Sequence, residues 1–229
     1  MPLESLVKAI IYVTLAVIGV AWLLLGTTAL AYASSIVAAI SLFFLYFARH
    51  AWRWRFLNGS VVKHPDLTGT WRYEIDSDYV DPVTGSKVKK TAFAVIEQTL
   101  TSTTVLVWTD NARSESIGAT IEIDRDDLFT LSVPFICNVR SEHDEPIHYG
   151  CALFEKVRRG AQEIEGRYWT ERATKGTVRL SDRRAEEIGS YAQGLEIFGL
   201  TPSQPPHPPP SPAPTTPAPE APSPSRTPG

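Results

Sequence analysis

Hydrophobic and polar residues fall into three successive regimes along this chain. From Ala9 to Ala48 there is no Asp, Glu, Lys, Arg or His, and only Gly26-Thr27-Thr28 interrupts the apolar run. A helix rises 1.5 Å per residue and needs about 20 apolar residues to cross hydrocarbon. The run therefore predicts two spans, over about 9–25 and 29–48, joined by a tight reversal. A signal peptide, with an apolar core of about 7–15 residues, is too short to account for it. From Leu67 the period changes to two. Leu67, Gly69, Trp71, Tyr73 and Ile75 alternate with Thr68, Thr70, Arg72, Glu74 and Asp76, the mark of a strand with one buried face.

Asp81-Pro82-Val83-Thr84-Gly85 is a turn cluster. Further strands are predicted over 91–100, 103–109, 113–123, 128–138, 146–155, 163–171 and 175–181, with a short helix over 182–195. Eight short strands with polar connections and no intervening amphipathic helices predict an antiparallel up-and-down β-barrel rather than a parallel α/β sheet. From Thr201 the third regime has proline at 13 positions and almost no apolar bulk, so it predicts an extended, solvated tail. The predicted organisation is a transmembrane hairpin over 1–55, a linker over 56–66, the barrel over 67–182, a closing helix or linker over 183–199, and a disordered proline-rich tail over 200–229. The fold class is membrane-anchored and mostly β.

Charge orients the hairpin. Lys8 precedes the first span, while Arg49, Arg53, Arg55 and Lys63 follow the second. The positive-inside rule then puts both termini and the barrel in the cytoplasm, with the Gly26 turn outside. Trp52 and Trp54, set among those arginines, read as an interfacial belt. Ala31, Ser35 and Ala39 recur every four positions, which lets helices approach closely within the hairpin or between chains. A net charge of −3, spread over both signs, argues against capture of duplex nucleic acid. Cys137 and Cys151 read as small buried hydrophobes; a disulfide across a hairpin is the alternative, open only in an oxidising compartment. The histidines lack ligand spacing, so no metal or cofactor is expected. With no Gly-x-Ser-x-Gly elbow and no nucleophile beside a base, no enzyme is expected either.

Towards the rim farthest from the membrane, the inward side of the predicted strands changes from apolar to polar. Strand seven runs Ile164, Gly166, Tyr168, Thr170, Arg172. Strand four runs Ile123, Ile121, Ala119, Ile117, Glu115, Arg113; a one-residue bulge would instead turn Ser114 and Ser116 inward. Strand one ends on Tyr73, and strand six begins with Ile147 and Tyr149. An eight-stranded barrel can just hold one small ligand. Tyr stacks on flat rings and Arg forks onto phosphate oxygens, a pairing that suits a nucleotide better than a fatty acid. Gly69-Thr70-Trp71 is similar to the Gly-x-Trp of lipocalin-type barrels, where the Trp closes the base. A membrane-tethered, lipocalin-like carrier of an apolar molecule is thus the alternative function.

Several segments, in order, carry a wider resemblance: Leu67-Thr68-Gly69-Thr70-Trp71, the 81–85 turn, Ile96-Glu97-Gln98-Thr99 and Ser114-Glu115-Ser116. Pro146-Ile147-His148-Tyr149-Gly150 and Gly166-Arg167-Tyr168-Trp169-Thr170-Glu171-Arg172 followed by Gly176 complete the set. Attached to a two-span N-terminus, they resemble the two-transmembrane, β-strand-rich (SMODS-associating) effectors of bacterial CBASS, cyclic-oligonucleotide-based anti-phage signalling. The resemblance covers residues 1 to about 182. It implies that a partner nucleotidyltransferase of the CD-NTase type makes a cyclic dinucleotide, which the barrel binds as activating ligand. The chains then assemble and disrupt the inner membrane, killing the infected cell. It also implies ligand contacts at Gln98, Ser114, Ser116, His148, Tyr168, Thr170 and Arg172. Side-chain chemistry then puts Arg172 on phosphate and Tyr168 and Trp71 nearer the bases. Tyr73 and Arg113, from the inward reading above, complete the candidate site.

Overall fold

The computed structural model describes residues 3–26, 29–54, 62–81, 85–124, 127–139 and 147–201. The expected reversal at 27–28, most of the linker, the Pro82–Thr84 turn, Pro146 and the tail from Pro202 lie outside the described residues. Two helices lead the chain, α1 (Leu3–Leu25) and α2 (Ala29–Arg49), followed by a single 3-10 turn at Ala51–Arg53. Lys8–Leu25 has a mean hydropathy of 2.2 and is long and apolar enough to cross a membrane; the apolar stretch of α2 over Ser34–Arg49 is shorter.

Nine strands follow: β1 (Gly69–Val80), β2 (Lys87–Gln98), β3 (Thr103–Trp108), β4 (Ala112–Ser116), β5 (Thr120–Ile123), β6 (Leu128–Val139), β7 (Ile147–Arg158), β8 (Ile164–Thr170) and β9 (Lys175–Arg184). Apart from β4 and β5, sequence neighbours pair antiparallel, and β9 returns to pair with β1. Both β4 and β5 pair with β6, so they are two halves of one stave. The result is a closed, eight-stave, up-and-down barrel, as the period-two pattern predicted.

The fourth stave contains a bulge. Ser116 stands opposite Phe135 and Thr120 opposite Ser132, so residues 117–119 face only 133 and 134 on β6. One extra residue reverses the facing of everything beyond it. Ala119 and Ile121 pack on the core while Ser114 and Ser116 turn inward, and Arg113, Glu115 and Ile117 face out. The uninterrupted alternation that put Arg113 and Glu115 inside is therefore corrected. So is the facing of β7. Ile147 and Tyr149 lie on the outer wall, while His148, Gly150, Ala152 and Phe154 alternate with them on the other side. Both faces of that strand are apolar, so alternation alone could not choose between them.

The predicted helix over 182–195 is displaced. Extended backbone continues to Arg184, which pairs with Thr70, and the helix is α3 (Tyr191–Phe198). Ser190 caps it by accepting from the Gln193 amide, and Gly199 closes it in the left-handed region at φ 63°. At the end of the barrel where β1 begins, Trp71 is buried, donates from Nε1 to the Leu67 carbonyl at 2.8 Å, and lies beneath the Arg183 guanidinium. It closes the floor.

The helices are tied to that floor. The Leu100 amide donates to the Ala48 carbonyl at 2.9 Å, and Arg53 donates to the Gln98 carbonyl at 2.7 Å. Trp52, read from sequence as interfacial, is 0% exposed and packs with Val62, Leu100, Phe44 and Phe47. Gln98 is 3% exposed; its side chain accepts from the Leu67 amide at 2.9 Å and donates to the Pro65 carbonyl at 2.8 Å.

Two predictions follow from this junction. Gln98→Ala orphans two buried backbone groups, each worth about 1–3 kcal/mol. Urea unfolding of the full chain in detergent should therefore show a loss of about 2–4 kcal/mol. His64, 8% exposed against Trp52, has its pKa pushed down to about 4 by burial. Its folded value lies below the unfolded 6.5, so the unfolded chain binds more protons in that window. The contribution is complete above pH 6.5 and is lost as pH falls towards 4, at up to about 1.4 kcal/mol per pH unit. Thermal melts of His64→Gln should show a shallower acid dependence over that range than the native chain.

Candidate functional site

The strands converge on an interior cavity of about 210 Å³. Its lower walls are Ile96, Leu131, Val133, Phe154, Val178 and Leu180, supplied by the inward positions of β2, β6, β7 and β9. Towards the rim opposite α1 and α2 the lining turns polar: Thr109 follows β3, Ser114 lies on β4, Cys137 on β6, His148 on β7, and Thr170 and Thr174 flank the β8–β9 turn. Tyr73 and Tyr168 line the middle. The gradient from apolar base to polar mouth is the one expected from sequence.

Of the ten candidate residues, Tyr73, Ser114, His148, Tyr168 and Thr170 line this cavity. Arg172 sits just outside them in the β8–β9 turn, and its positive charge is felt by both His148 and Cys137. The other four are elsewhere. Trp71 is in the floor and Gln98 in the junction, as described. Arg113 is on the outer wall, paired with Glu115 at 3.1 Å and stacked on Trp108. Ser116 is engaged by the bulge, its Oγ accepting from the Val105 amide at 2.9 Å. Three polar lining residues were missed: Thr109, Cys137 and Thr174. Parity carried on from Val105 and Val107 points Thr109 inward, and parity from Val133 and Phe135 does the same for Cys137. Thr174 lies beyond a turn, where alternation gives no signal.

Cys137 and Cys151 are both free. Cys137 faces the cavity opposite His148, whereas Cys151 lies opposite Pro134 and Trp169 on the outer face. The wall separates them, so the hairpin disulfide considered from sequence does not form.

Among the described residues no charged side chain lines the cavity. Burial lowers the His148 pKa, helped by the Arg172 charge and opposed by Glu171. The imidazole is therefore neutral at pH 7, and among the described residues its Nδ1 has no hydrogen-bond partner. Burial raises the Cys137 thiol, against a hydrogen bond with Ser114. It also raises both tyrosines. The mouth thus offers neutral donors and acceptors: hydroxyls, a thiol and an imidazole. This suits the edge of an uncharged ring, with anionic groups kept outside near Arg172. Among the described residues no group of three or more His, Cys, Asp or Glu could hold a metal ion.

Residues 62–182 match the family described as Cap15, cyclic dinucleotide receptor domain. The chain belongs to this family. Membership supports a cyclic dinucleotide as the ligand and a CBASS effector as the role, that of a ligand-binding sensor rather than a known enzyme. Among curated proteins none matches the chain. The receptor match spans the floor, the eight staves and the cavity. At 210 Å³ the cavity is smaller than the roughly 300–1,000 Å³ of sites that enclose a drug-sized ligand.

A proton NMR titration should find the His148 imidazole titrating below pH 6.5. Arg172→Gln, by removing one of the two causes, should move that midpoint upward.

Proposed function

We propose that the barrel captures a cyclic dinucleotide by lowering one base into the cavity and holding the phosphodiester ring across the mouth. Tyr168 and Tyr73 offer the base their ring faces, Ser114, Thr170 and His148 read its polar edge, and Arg172 meets a phosphate. The observation that carries this reading is the uncharged, ring-sized cavity with Arg172 at its rim, in a chain of a cyclic dinucleotide receptor family. Phosphates buried in that apolar base would lose hydration without a counter-charge. At the mouth they remain hydrated beside a cation.

Capture of the messenger drives assembly of the chains, and the two apolar helices then disrupt the inner membrane, killing the infected cell. A CD-NTase-type nucleotidyltransferase supplies the ligand. Both termini and the barrel lie on the cytoplasmic side. Assembly follows only if the ligand binds the assembled state better than the single chain. A swing from 1:99 to 99:1 needs about 5.5 kcal/mol of such preference. The bonds from Leu100 to Ala48 and from Arg53 to Gln98 support a rigid link from barrel to helices. The apolar lower cavity favours one second reading, a tethered carrier of an apolar molecule.

In calorimetry, Arg172→Ala should weaken cyclic dinucleotide binding about tenfold, the effect of losing roughly 1.4 kcal/mol of charge-assisted bonding. Unchanged affinity sinks the phosphate assignment. Liposomes carrying the full chain should leak dye on addition of cyclic dinucleotide and not on addition of fatty acid. Binding of fatty acid by the barrel, with no leakage on either addition, would instead favour the carrier.

A further inference from the structure

The outer wall of the barrel bears two apolar stripes, and α3 covers one of them. Phe93, Val95 and Trp108 point outward from β2 and β3 and lie under Leu195, Tyr191 and Phe198. Gly194 permits the contact, since a Cβ there would collide with the Phe93 ring. The second stripe crosses β6, β7 and β8. Pro134, Cys151 and Trp169 stand in one cross-strand row, with Ile136 and Tyr149 in the next. Tyr149 is 50% exposed, Trp169 45% and Ile147 50%. Charged Glu115, Glu155 and Arg167 border the stripe. Because β7 lies four staves from β2 in either direction, α3 cannot reach it.

Tyr149 and Trp169 are diagonal neighbours with the small Cys151 side chain between them. Two half-exposed aromatic rings flanking a shallow apolar strip are the surface on which polyproline docks. Its rings pack flat on aromatic faces, and its extended backbone is already ordered. We propose that this stripe is the docking site for the chain's own proline-rich segment, residues 202–229.

Length and chemistry argue for that occupant. Beyond Thr201 the chain continues for 28 residues, among them Pro205-Pro206-His207-Pro208-Pro209-Pro210, and its only charges are Glu220 and Arg226. Polyproline advances about 3.1 Å per residue, giving a reach of about 85 Å. Four strand spacings of about 4.8 Å are only about 20 Å at the backbone, and roughly twice that over the side chains. A tether of this kind sets an effective concentration near a millimolar. An intrinsic dissociation constant near 0.1 mM then leaves the stripe about nine-tenths covered and protects it about tenfold. The segment would do for the β6–β8 stripe what α3 does for the β2–β3 stripe.

Cys151 reports on the stripe, and Cys137, inside the barrel, is the internal reference. Alkylation by N-ethylmaleimide, followed peptide by peptide, should be compared in three forms in detergent: the full chain, the chain ended after Leu200, and the full chain with every tail proline changed to serine. Cys151 should react about tenfold faster in the second and third forms, with Cys137 unchanged. A synthetic 202–229 peptide should restore protection to the shortened chain. Arg167→Cys, on the exposed border, serves as a second reporter should Cys151 label too slowly in every form. Equal rates in the three forms at both reporters would overturn the proposal. So would protection that survives loss of the tail and rises with protein concentration, which would assign the stripe to a second copy.

Discussion

Backbone hydrogen bonds that join β9 back to β1, and β4 and β5 to β6, leave the sheet without an edge. Every inward side chain is then committed to one shared interior, and every outward one to solvent, to α3 or to another apolar surface. The bulge at 117–119 matters because of this closure. In an open sheet a one-residue slip would redirect part of an edge; in a ring it decides whether an ion pair or two hydroxyls sit inside. With Arg113 and Glu115 turned out, the interior is free of charge, and the pair satisfies itself on the surface.

An uncharged interior sets the division of labour at the mouth. A hydroxyl, a neutral imidazole or a thiol can be desolvated at modest cost if a ligand supplies its partner, whereas an isolated buried ion cannot. The orphaned His148 Nδ1 is such a group. Arg172, set in the turn above, contributes its field to the cavity without being buried in it. In the proposed binding mode, recognition of the base and of the phosphodiester ring is thereby separated by a few residues at the end of β8.

At the opposite end the same strands end in a closed floor. Arg183 over Trp71 seals the base, and Gln98 stitches the chain entering the barrel to the end of β2. The Leu100–Ala48 and Arg53–Gln98 bonds then fasten α2 to that floor. Cavity and helices are consequently attached to opposite ends of one β2 strand, with the mouth directed away from the helices. A neutral buried His64 within the junction makes its strength depend on pH.

Local sequence determined the apolar N-terminal run, the eight staves and their order, and the gradient from apolar base to polar mouth. Each depends on periodicity or on chain length, which a linear string records directly. It also placed Tyr73, Tyr168 and Thr170 among the candidates, whereas His148 came from the family resemblance, since alternation had turned Tyr149 inward instead. Tertiary structure decided the rest. Parity fails at Ile117-Gly118 and across the Thr170–Thr174 turn, and it is silent on β7, where both faces are apolar. Which face of such a strand is buried is set by partners distant in the chain: Phe135 beside Gly150, Arg184 opposite Thr70, Phe93 beneath α3. The move of Gln98 from an expected ligand contact, and of Trp52 from an expected interfacial position, to the buried junction has the same origin. Hydrogen bonds and packing between residues 30 or more positions apart cannot be read from either neighbour alone.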